Sequence, residues 1–99
     1  MSHVGALLCL PSGIYGWVPA PVERWSESDF EKVLAEAGSI DLILIGCGLD
    51  LIPLSHSLRS AFGEASIVAE MMSTGAAVRT YNILLAEGRS VAAALMPVD

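Results

Sequence analysis

The sequence predicts one α/β domain in three layers, in which an N-terminal β-hairpin is followed by αβαβαβ around a partly parallel, mixed sheet. Short apolar runs of strand length alternate with segments whose apolar residues recur every three or four positions. That alternation is typical of a sheet with helices on its faces and right-handed crossovers between parallel strands. The 99 residues suit one compact domain, and 54% hydrophobic against 16% charged residues excludes a disordered chain.

The first two strands are expected to form the hairpin. Residues 4–10 are an unbroken apolar run, Pro11-Ser12-Gly13 has the composition of a turn, and residues 14–18 supply the returning strand. Two prolines in residues 19–21 then favour an extended connection, because each disfavours helix at the residue before it.

Three helix–strand pairs are expected after this connection. Ser28 and Glu31 have the spacing of a capping box, and the apolar periodicity that follows predicts a helix that ends at Gly38. Strands are predicted over residues 41–45, 66–70 and 89–96. Two more helices are predicted, one over residues 54–62 and one from Ser73 or Thr74 to about residue 87.

The charge distribution excludes several kinds of partner. The net charge is −6, and the five basic residues are scattered singly, so the chain lacks the basic patch that a nucleic-acid binder needs. The same balance disfavours anionic membrane surfaces, and no segment approaches the ~18 apolar residues of a membrane-spanning helix. We therefore expect no nucleic acid, no membrane insertion and a cytoplasmic location. The few charges leave apolar surface, which favours a protein partner or a homo-oligomer.

The cysteines do not predict an active site. Cys9 and Cys47 lie in apolar runs and fit no metal-ligand spacing, so we expect two buried thiols, no metal and no cofactor. Cys47 and His56 are the one conceivable pair of nucleophile and base, but nothing in the sequence orients the base. The sequence favours a protein without enzymatic activity.

Two predicted strand ends are candidates for a binding pocket. Ligands of open α/β sheets collect beyond the carboxyl ends of strands, and backbone amides at Gly46, Gly48, Ser73 and Thr74 would suit an anion. The alternative interpretation is structural, because glycines permit a tight turn and Ser73-Thr74 is an ordinary helix start.

A polar cluster on the last predicted helix extends this candidate pocket. Arg79, Tyr81 and Asn82 lie among apolar residues that surround the helix on most sides. On such a helix we expect the polar groups to find partners, and Glu70 is the candidate partner of Arg79. The open alternative is that Arg79 or Tyr81 contacts a ligand or another protein.

The same segment carries a family resemblance. Residues 72–84, followed by Glu87-Gly88-Arg89 and residues 91–95, resemble the Mth-type domain family, whose biochemical function is unknown and which includes relatives of mitochondrial NADH:ubiquinone oxidoreductase (complex I) assembly factor 3. Residues 8–11 with Trp17, and residues 42–48, resemble other landmarks of the family. The resemblance implies a compact three-layer α/β domain without enzymatic activity and with no catalytic residues to transfer.

The resemblance also sets the expected function. An interaction or assembly-helper protein related to complex I assembly factors is the first hypothesis, and a small-molecule or anion-binding module that uses the strand-end pocket is the alternative. Family members usually begin with another strand before the stretch matched by residues 3–10. Either the start of this sequence is assigned too late or the strand is missing. If it is missing, we expect residues 1–99 to form one domain without this strand, and the unpaired edge left behind to favour a homo-oligomer.

Overall fold

A computed structural model describes residues 5–17, 19, 24–47 and 54–97. Five strands form one mixed sheet in the order β2-β1-β5-β3-β4, in which β1 is antiparallel to β2 and β5, and β3 is parallel to β4 and β5. The strands are β1 (Ala6–Leu10), β2 (Gly13–Trp17), β3 (Leu42–Gly46), β4 (Val68–Met72) and β5 (Val91–Leu95). The α-helices are α1 (Glu31–Ala35), α2 (His56–Glu64) and α3 (Thr74–Ala86). The predicted α/β class, with its hairpin and partly parallel sheet, is confirmed.

One face of the sheet carries the larger core. Trp17, Trp25, Phe30 and Phe62 form a chain of ring contacts with centroids 5.2–5.5 Å apart, and the Trp17 indole Nε1–H donates to the Asp29 carbonyl at 2.7 Å. Aromatic pairs at this spacing add about 0.5–1.5 kcal/mol each beyond the area that they bury. These rings hold α2 and the turn before α1 against the sheet.

The other face is covered by α3 alone among the described elements. Ala77 of α3 packs with Leu44 of β3 and Val91 of β5, and Tyr81 and Leu84 lie against this cluster. The alanines of β5 are fully buried, with Ala93 beneath α3 and Ala92 and Ala94 in the larger core. Small side chains at the centre of the sheet let helices approach both of its faces closely.

The first helix differs from the prediction. The chain turns into a 3-10 helix at Glu27–Phe30, continues as the five-residue α1, and ends in a second 3-10 turn at Ala37–Ser39. Ser26, not Ser28, precedes the first turn, because the Asp29 carboxylate accepts the Ser26 backbone N–H at 2.9 Å and closes the turn two residues earlier. The predicted helix over this stretch is therefore three short pieces.

The second half of the chain follows the predicted order with shifted boundaries. Gly63 lies inside α2 rather than ending it, and the reversal occurs at Ser66, whose φ is 62°. The positive φ delays β4 to Val68, two residues after its predicted start. Ser73 caps α3, as predicted.

Candidate functional site

Three of the predicted pocket residues meet where β3 and β5 end and α3 begins, a region that we call the strand-end junction (Gly46, Ser73, Thr74 and Met96). The Thr74 hydroxyl donates a hydrogen bond to the Met96 carbonyl at 2.7 Å. The Met96 backbone N–H in turn donates to the Gly46 carbonyl at 2.8 Å. The fourth residue predicted there, Gly48, lies outside the described residues. The junction ties two strand ends to the first residue of the helix.

Gly46 allows α3 to lie directly on the end of β3. A Cβ at this position would be 2.8 Å from the Thr74 Cα and 3.2 Å from the Ala77 Cβ, which is closer than carbon atoms pack. Thr74 is itself buried, with 8% of its surface exposed. The close approach of helix and strand therefore accounts for both residues without a ligand.

The N-terminus of α3 is capped from within the chain. The Ser73 Oγ accepts the Ala76 backbone N–H at 3.4 Å, and the Ser73 carbonyl accepts the Ala77 N–H at 2.9 Å. The Ala76 amide, which could have faced an anion, is thus already bonded, and the Ala77 amide makes the first bond within the helix itself. The described residues of the junction add no observation that points to an anion.

The three predicted pocket residues on α3 point in different directions. Tyr81 is half-buried against the sheet, whereas Arg79 and Asn82 are exposed. Burial raises the pKa of the Tyr81 phenol, and the Cys9 thiol of β1 adds to this shift. Burial also raises the pKa of Cys9. Tyr81 is therefore a neutral part of the packing between α3 and β1, and the structure does not bring it together with Arg79 and Asn82 in one pocket.

The expected pairing of Arg79 with Glu70 is wrong. Both side chains are exposed, and within the described ranges no ion pair joins them. The prediction assumed that α3 is mostly buried, but α3 has the sheet on one side only. Arg79 lies on the outer side of α3, where water solvates its guanidinium group. The side chain therefore needs no ion-pair partner within the protein.

Both cysteines are buried thiols, as predicted, and they are not joined in a disulfide. The Cys47 Sγ–H donates to the Met72 carbonyl at 3.4 Å, so the thiol takes part in holding β3 to the end of β4. His56 is exposed on the first turn of α2. These positions give Cys47 a structural contact and do not supply the oriented base that a thiol nucleophile needs.

The exposed large hydrophobic side chains of the described residues all lie on the side of the sheet that carries α3. Three are on α3 itself, and the strand register places the other two on the same sheet face as Leu44 and Ala93. They are Ile14 (68% exposed), Val68 (58%), Ile83 (54%), Leu85 (49%) and Val78 (39%). We call this surface the α3 face. Exposed apolar residues gathered on one face are typical of an interaction surface.

Part of the α3 face is the surface of the hairpin strands beside α3. Because α3 covers mainly β3 and β5, the hairpin strands β1 and β2 extend beyond it. The right-handed crossover from β4 to β5 turns the side of α3 that bears Val78 and Leu85 toward these strands. Ile14 of β2 projects from the sheet on the same side of α3. Exposed apolar side chains of the helix and of the hairpin therefore border the same part of the sheet.

Charge distinguishes the α3 face from the opposite layer. The turn, α1 and α2 of the opposite layer carry five acidic residues against two basic ones, with Arg24 just before the turn: they are Glu27, Asp29, Glu31, Glu36 and Glu64 against Lys32 and Arg59. On the α3 side, Glu70 and Glu87 are balanced by Arg79 and Arg89. One side of the domain is therefore acidic, and the other is apolar and close to neutral.

The exposed hydrophobic residues of the α3 face were not predicted from the sequence. We expected most of α3 to lie in the interior, because apolar residues occur on nearly all sides of the helix. One signal was available. A helix that is apolar all round needs cover on all sides, and a chain of 99 residues has few elements left to provide it.

Comparisons with known proteins agree with the fold. Residues 1–96 match the profile of a family described as protein of unknown function (DUF498/DUF598). An uncharacterized protein of Rhodobacter capsulatus is 44% identical over 96 residues, which are 97% of this chain and 72% of that protein. The human NADH dehydrogenase [ubiquinone] 1 alpha subcomplex assembly factor 3 is 27% identical over 95% of this chain. The chain spans about half the length of that assembly factor, 51%.

Solved structures show the same architecture. The crystal structure described as an outer membrane protein from Bartonella henselae superposes with a TM-score of 0.90 at 48% identity, over 100% of this chain and 83% of that one. A Bordetella pertussis protein described as a Mth938-like domain superposes with a TM-score of 0.76 at 27% identity, over 94% and 73% of the two chains. Within the described residues, no helix is both long and apolar enough to cross a membrane. The resemblance drawn from residues 72–95 is confirmed, and the chain belongs to the DUF498/DUF598 family, which has Mth938-like domains among its structural neighbours and complex I assembly factors among its distant relatives.

Proposed function

We propose that this protein is a non-enzymatic assembly helper in the cytoplasm that binds a partner protein through the α3 face. The observation that carries the proposal is the position of the exposed hydrophobic residues. Ile14, Val78 and Leu85 border the same part of the sheet beside α3, and Ile83 lies on the outer side of α3. Exposed side chains of this size cost free energy in water, and a partner that covers them recovers about 25 cal/mol for each Å² of apolar area buried.

The chemistry of the face favours a protein over a small ligand. The residues are spread over a helix and two strands, whereas a small-molecule site encloses its ligand in a deep pocket. Arg79 and Asn82 are exposed beside the apolar residues and are suited to the polar rim of a protein interface. The Thr74 hydroxyl donates to the Met96 carbonyl, and the Ser73 hydroxyl oxygen accepts the Ala76 N–H, so both side chains already have partners within the chain. This supports protein binding over the anion-binding alternative.

The distant relatives suggest the process that such binding would serve. Human, mouse and fruit fly proteins named NADH dehydrogenase [ubiquinone] 1 alpha subcomplex assembly factor 3 are 27–29% identical to this chain. We therefore propose that the partner is a component or an assembly intermediate of a respiratory NADH:ubiquinone oxidoreductase. The apolar, nearly neutral α3 face would cover a hydrophobic surface that the finished complex buries.

A paired substitution tests this function. Leu85→Lys places a charge on the α3 face, and Ser60→Lys places the same charge on an exposed position of α2 in the opposite layer. Both variants should fold, because both positions are exposed. In cells that lack the gene, the wild type and Ser60→Lys should restore the amount of assembled NADH:ubiquinone oxidoreductase on native gels, and Leu85→Lys should not. Equal rescue by Leu85→Lys and Ser60→Lys would contradict a role for the α3 face, and normal assembly without the gene would contradict the function.

A further inference from the structure

Within the described sheet, the outer edge of β2 has no charged residue or proline that would prevent another strand from pairing with it. β2 is the terminal strand in the described sheet, and its five residues, Gly-Ile-Tyr-Gly-Trp, include no charge and no proline. The opposite edge strand, β4, carries the exposed Glu70 at its centre. Charges, prolines and bulges are the features that normally stop an edge strand from pairing with another chain. Of the two edge strands in the described part of the chain, β2 is the one that lacks such features.

The hairpin register defines which backbone groups face outward. The two-residue turn closes on the Leu10–Gly13 pair, which is hydrogen-bonded, and such pairs alternate along an antiparallel ladder. Tyr15 and Trp17 therefore direct their N–H and C=O groups toward β1. Ile14 and Gly16 direct theirs away from the sheet, to the outer edge.

The outward N–H and C=O groups of Ile14 and Gly16 can form hydrogen bonds with the same groups of a second copy of the chain. If two β2 strands pair antiparallel about a two-fold axis at Tyr15, Ile14 of each copy lies opposite Gly16 of the other, and each such pair exchanges both N–H···O bonds. The side chains fit in the same register. Ile14 is 68% exposed, and the space above Gly16 is open, because a Cβ added there meets nothing within 4 Å. Each isoleucine would cover the bare glycine of the other copy.

The hairpin is held in shape before any pairing occurs. The Ser12 backbone N–H donates to the Glu36 carboxylate at 3.2 Å, and the Lys32 Nζ lies 4.6 Å from the centre of the Tyr15 ring. Both contacts come from α1 and the residue that follows it, on the sheet face opposite to Ile14. The two charges offset each other, and a rigid strand loses little entropy when it pairs.

We propose that a second copy of this chain pairs along β2 and forms a homodimer in the Ile14–Gly16 register. The axis of such a pair stands perpendicular to the sheet, so both α3 faces lie on the same side of one continuous sheet. Five residues make a short ladder, which puts the interface at the small end of the range for specific complexes. The dimer is therefore weak and dependent on concentration. It does not depend on the proposed function and can be tested without a partner.

Sedimentation equilibrium of the purified chain over about 10–500 µM tests the dimer by mass action. The wild type should shift from monomer to dimer across this range. Ile14→Lys adds a charge that disfavours strand pairing at this edge, and Gly16→Pro removes an outward N–H without breaking a bond to β1. Both variants should therefore stay monomeric. Val68→Lys makes the matched change on the other edge strand, where Val68 is 58% exposed, and should dimerise like the wild type. A wild type that stays monomeric, an Ile14→Lys variant that dimerises normally, or loss of dimer in Val68→Lys would overturn the proposal.

A covalent readout tests the register even if one variant folds poorly. Tyr15 faces its own copy in a pair without hydrogen bonds, where Cα atoms are about 4.5 Å apart, within the range of a disulfide. Tyr15→Cys should therefore form a disulfide-linked dimer on mild oxidation. Ser60→Cys, on the exposed side of α2, should not. Equal crosslinking of the two variants, or none by Tyr15→Cys, would overturn the pairing.

Discussion

Substitution of Gly46 by alanine should destabilise this domain through a single close contact. The added Cβ would lie 2.8 Å from the Thr74 Cα, 3.2 Å from the Ala77 Cβ and 3.2 Å from the Leu95 Cδ2. The leucine side chain can rotate away, but the Thr74 Cα is backbone and moves only with α3. The same residue is anchored by its hydroxyl bond to the Met96 carbonyl, so relief of the clash strains that bond.

The expected loss of stability in Gly46→Ala is the difference between two opposing contributions to the free energy of unfolding. Overpacking in a well-packed core costs typically about 1–3 kcal/mol, and contact with backbone places this site at the upper end. Alanine also restricts the unfolded chain, which returns about 0.4–1 kcal/mol. A net loss of about 2 kcal/mol lowers the melting temperature by about 8–16 °C for a domain of this size.

Thermal unfolding followed by circular dichroism measures this effect. Gly75→Ala is the matched control, because Gly75 lies one residue into α3 from Thr74 and a Cβ there meets nothing within 4 Å. The control should be neutral or more stable than the wild type, since alanine is the better helix former. A Gly46→Ala variant that melts within about 3 °C of the wild type would refute the reasoning that the glycine is required for packing.

Other substitutions and a pH series test separate parts of the structure. Thr74→Val should cost about 1–3 kcal/mol by removing the donor to the Met96 carbonyl, and Thr74→Ser, which keeps a hydroxyl, should cost less in urea unfolding. Arg79→Ala should change the free energy of unfolding by less than about 0.5 kcal/mol, because Arg79 is exposed, and a loss of several kcal/mol would instead indicate a buried pairing. Burial raises the pKa of Cys9 above 9.0 and that of Tyr81 above 10.0, so the unfolded state loses these protons first as pH rises. Stability should be level below about pH 9 and fall above it, and urea unfolding from about pH 8 to 10.5 should show a smaller fall in Cys9→Ala. An equal fall in the variant would contradict the contribution of Cys9.

Local features of the sequence were sufficient to predict most of the elements. The apolar run over residues 42–45, the capping serine at Ser73 and the glycine at Gly88, whose φ is 77°, each depend on backbone conformation or burial within a few residues. Such signals do not require knowledge of distant contacts. The first helix was predicted less well, because Ser26 and Ser28 both fit a capping pattern and the Asp29 carboxylate selects Ser26 only once the turn exists.

For the candidate site too, the sequence predicted some features and not others. The order of helices and strands was enough to predict that Gly46, Ser73 and Thr74 lie at strand ends, because parallel strands share one carboxyl edge. Their hydrogen bonds to Met96 and the contact of Gly46 with α3 could not be predicted, because both depend on how closely the helix approaches the sheet.

The amino-acid sequence by itself therefore determined the fold class, the family and the burial of Cys9 and Cys47, because apolar periodicity and motif spacing are properties of short segments. Only the tertiary structure decided which side of α3 is covered. The sheet has two faces, α1 and α2 pack on one of them, and α3 alone lies on the other. That division exposes Arg79 and leaves Ile83 and Leu85 in solvent. A helix that is apolar on nearly all sides does not specify its covered side by its own sequence, because burial depends on which elements the rest of the chain can bring against it.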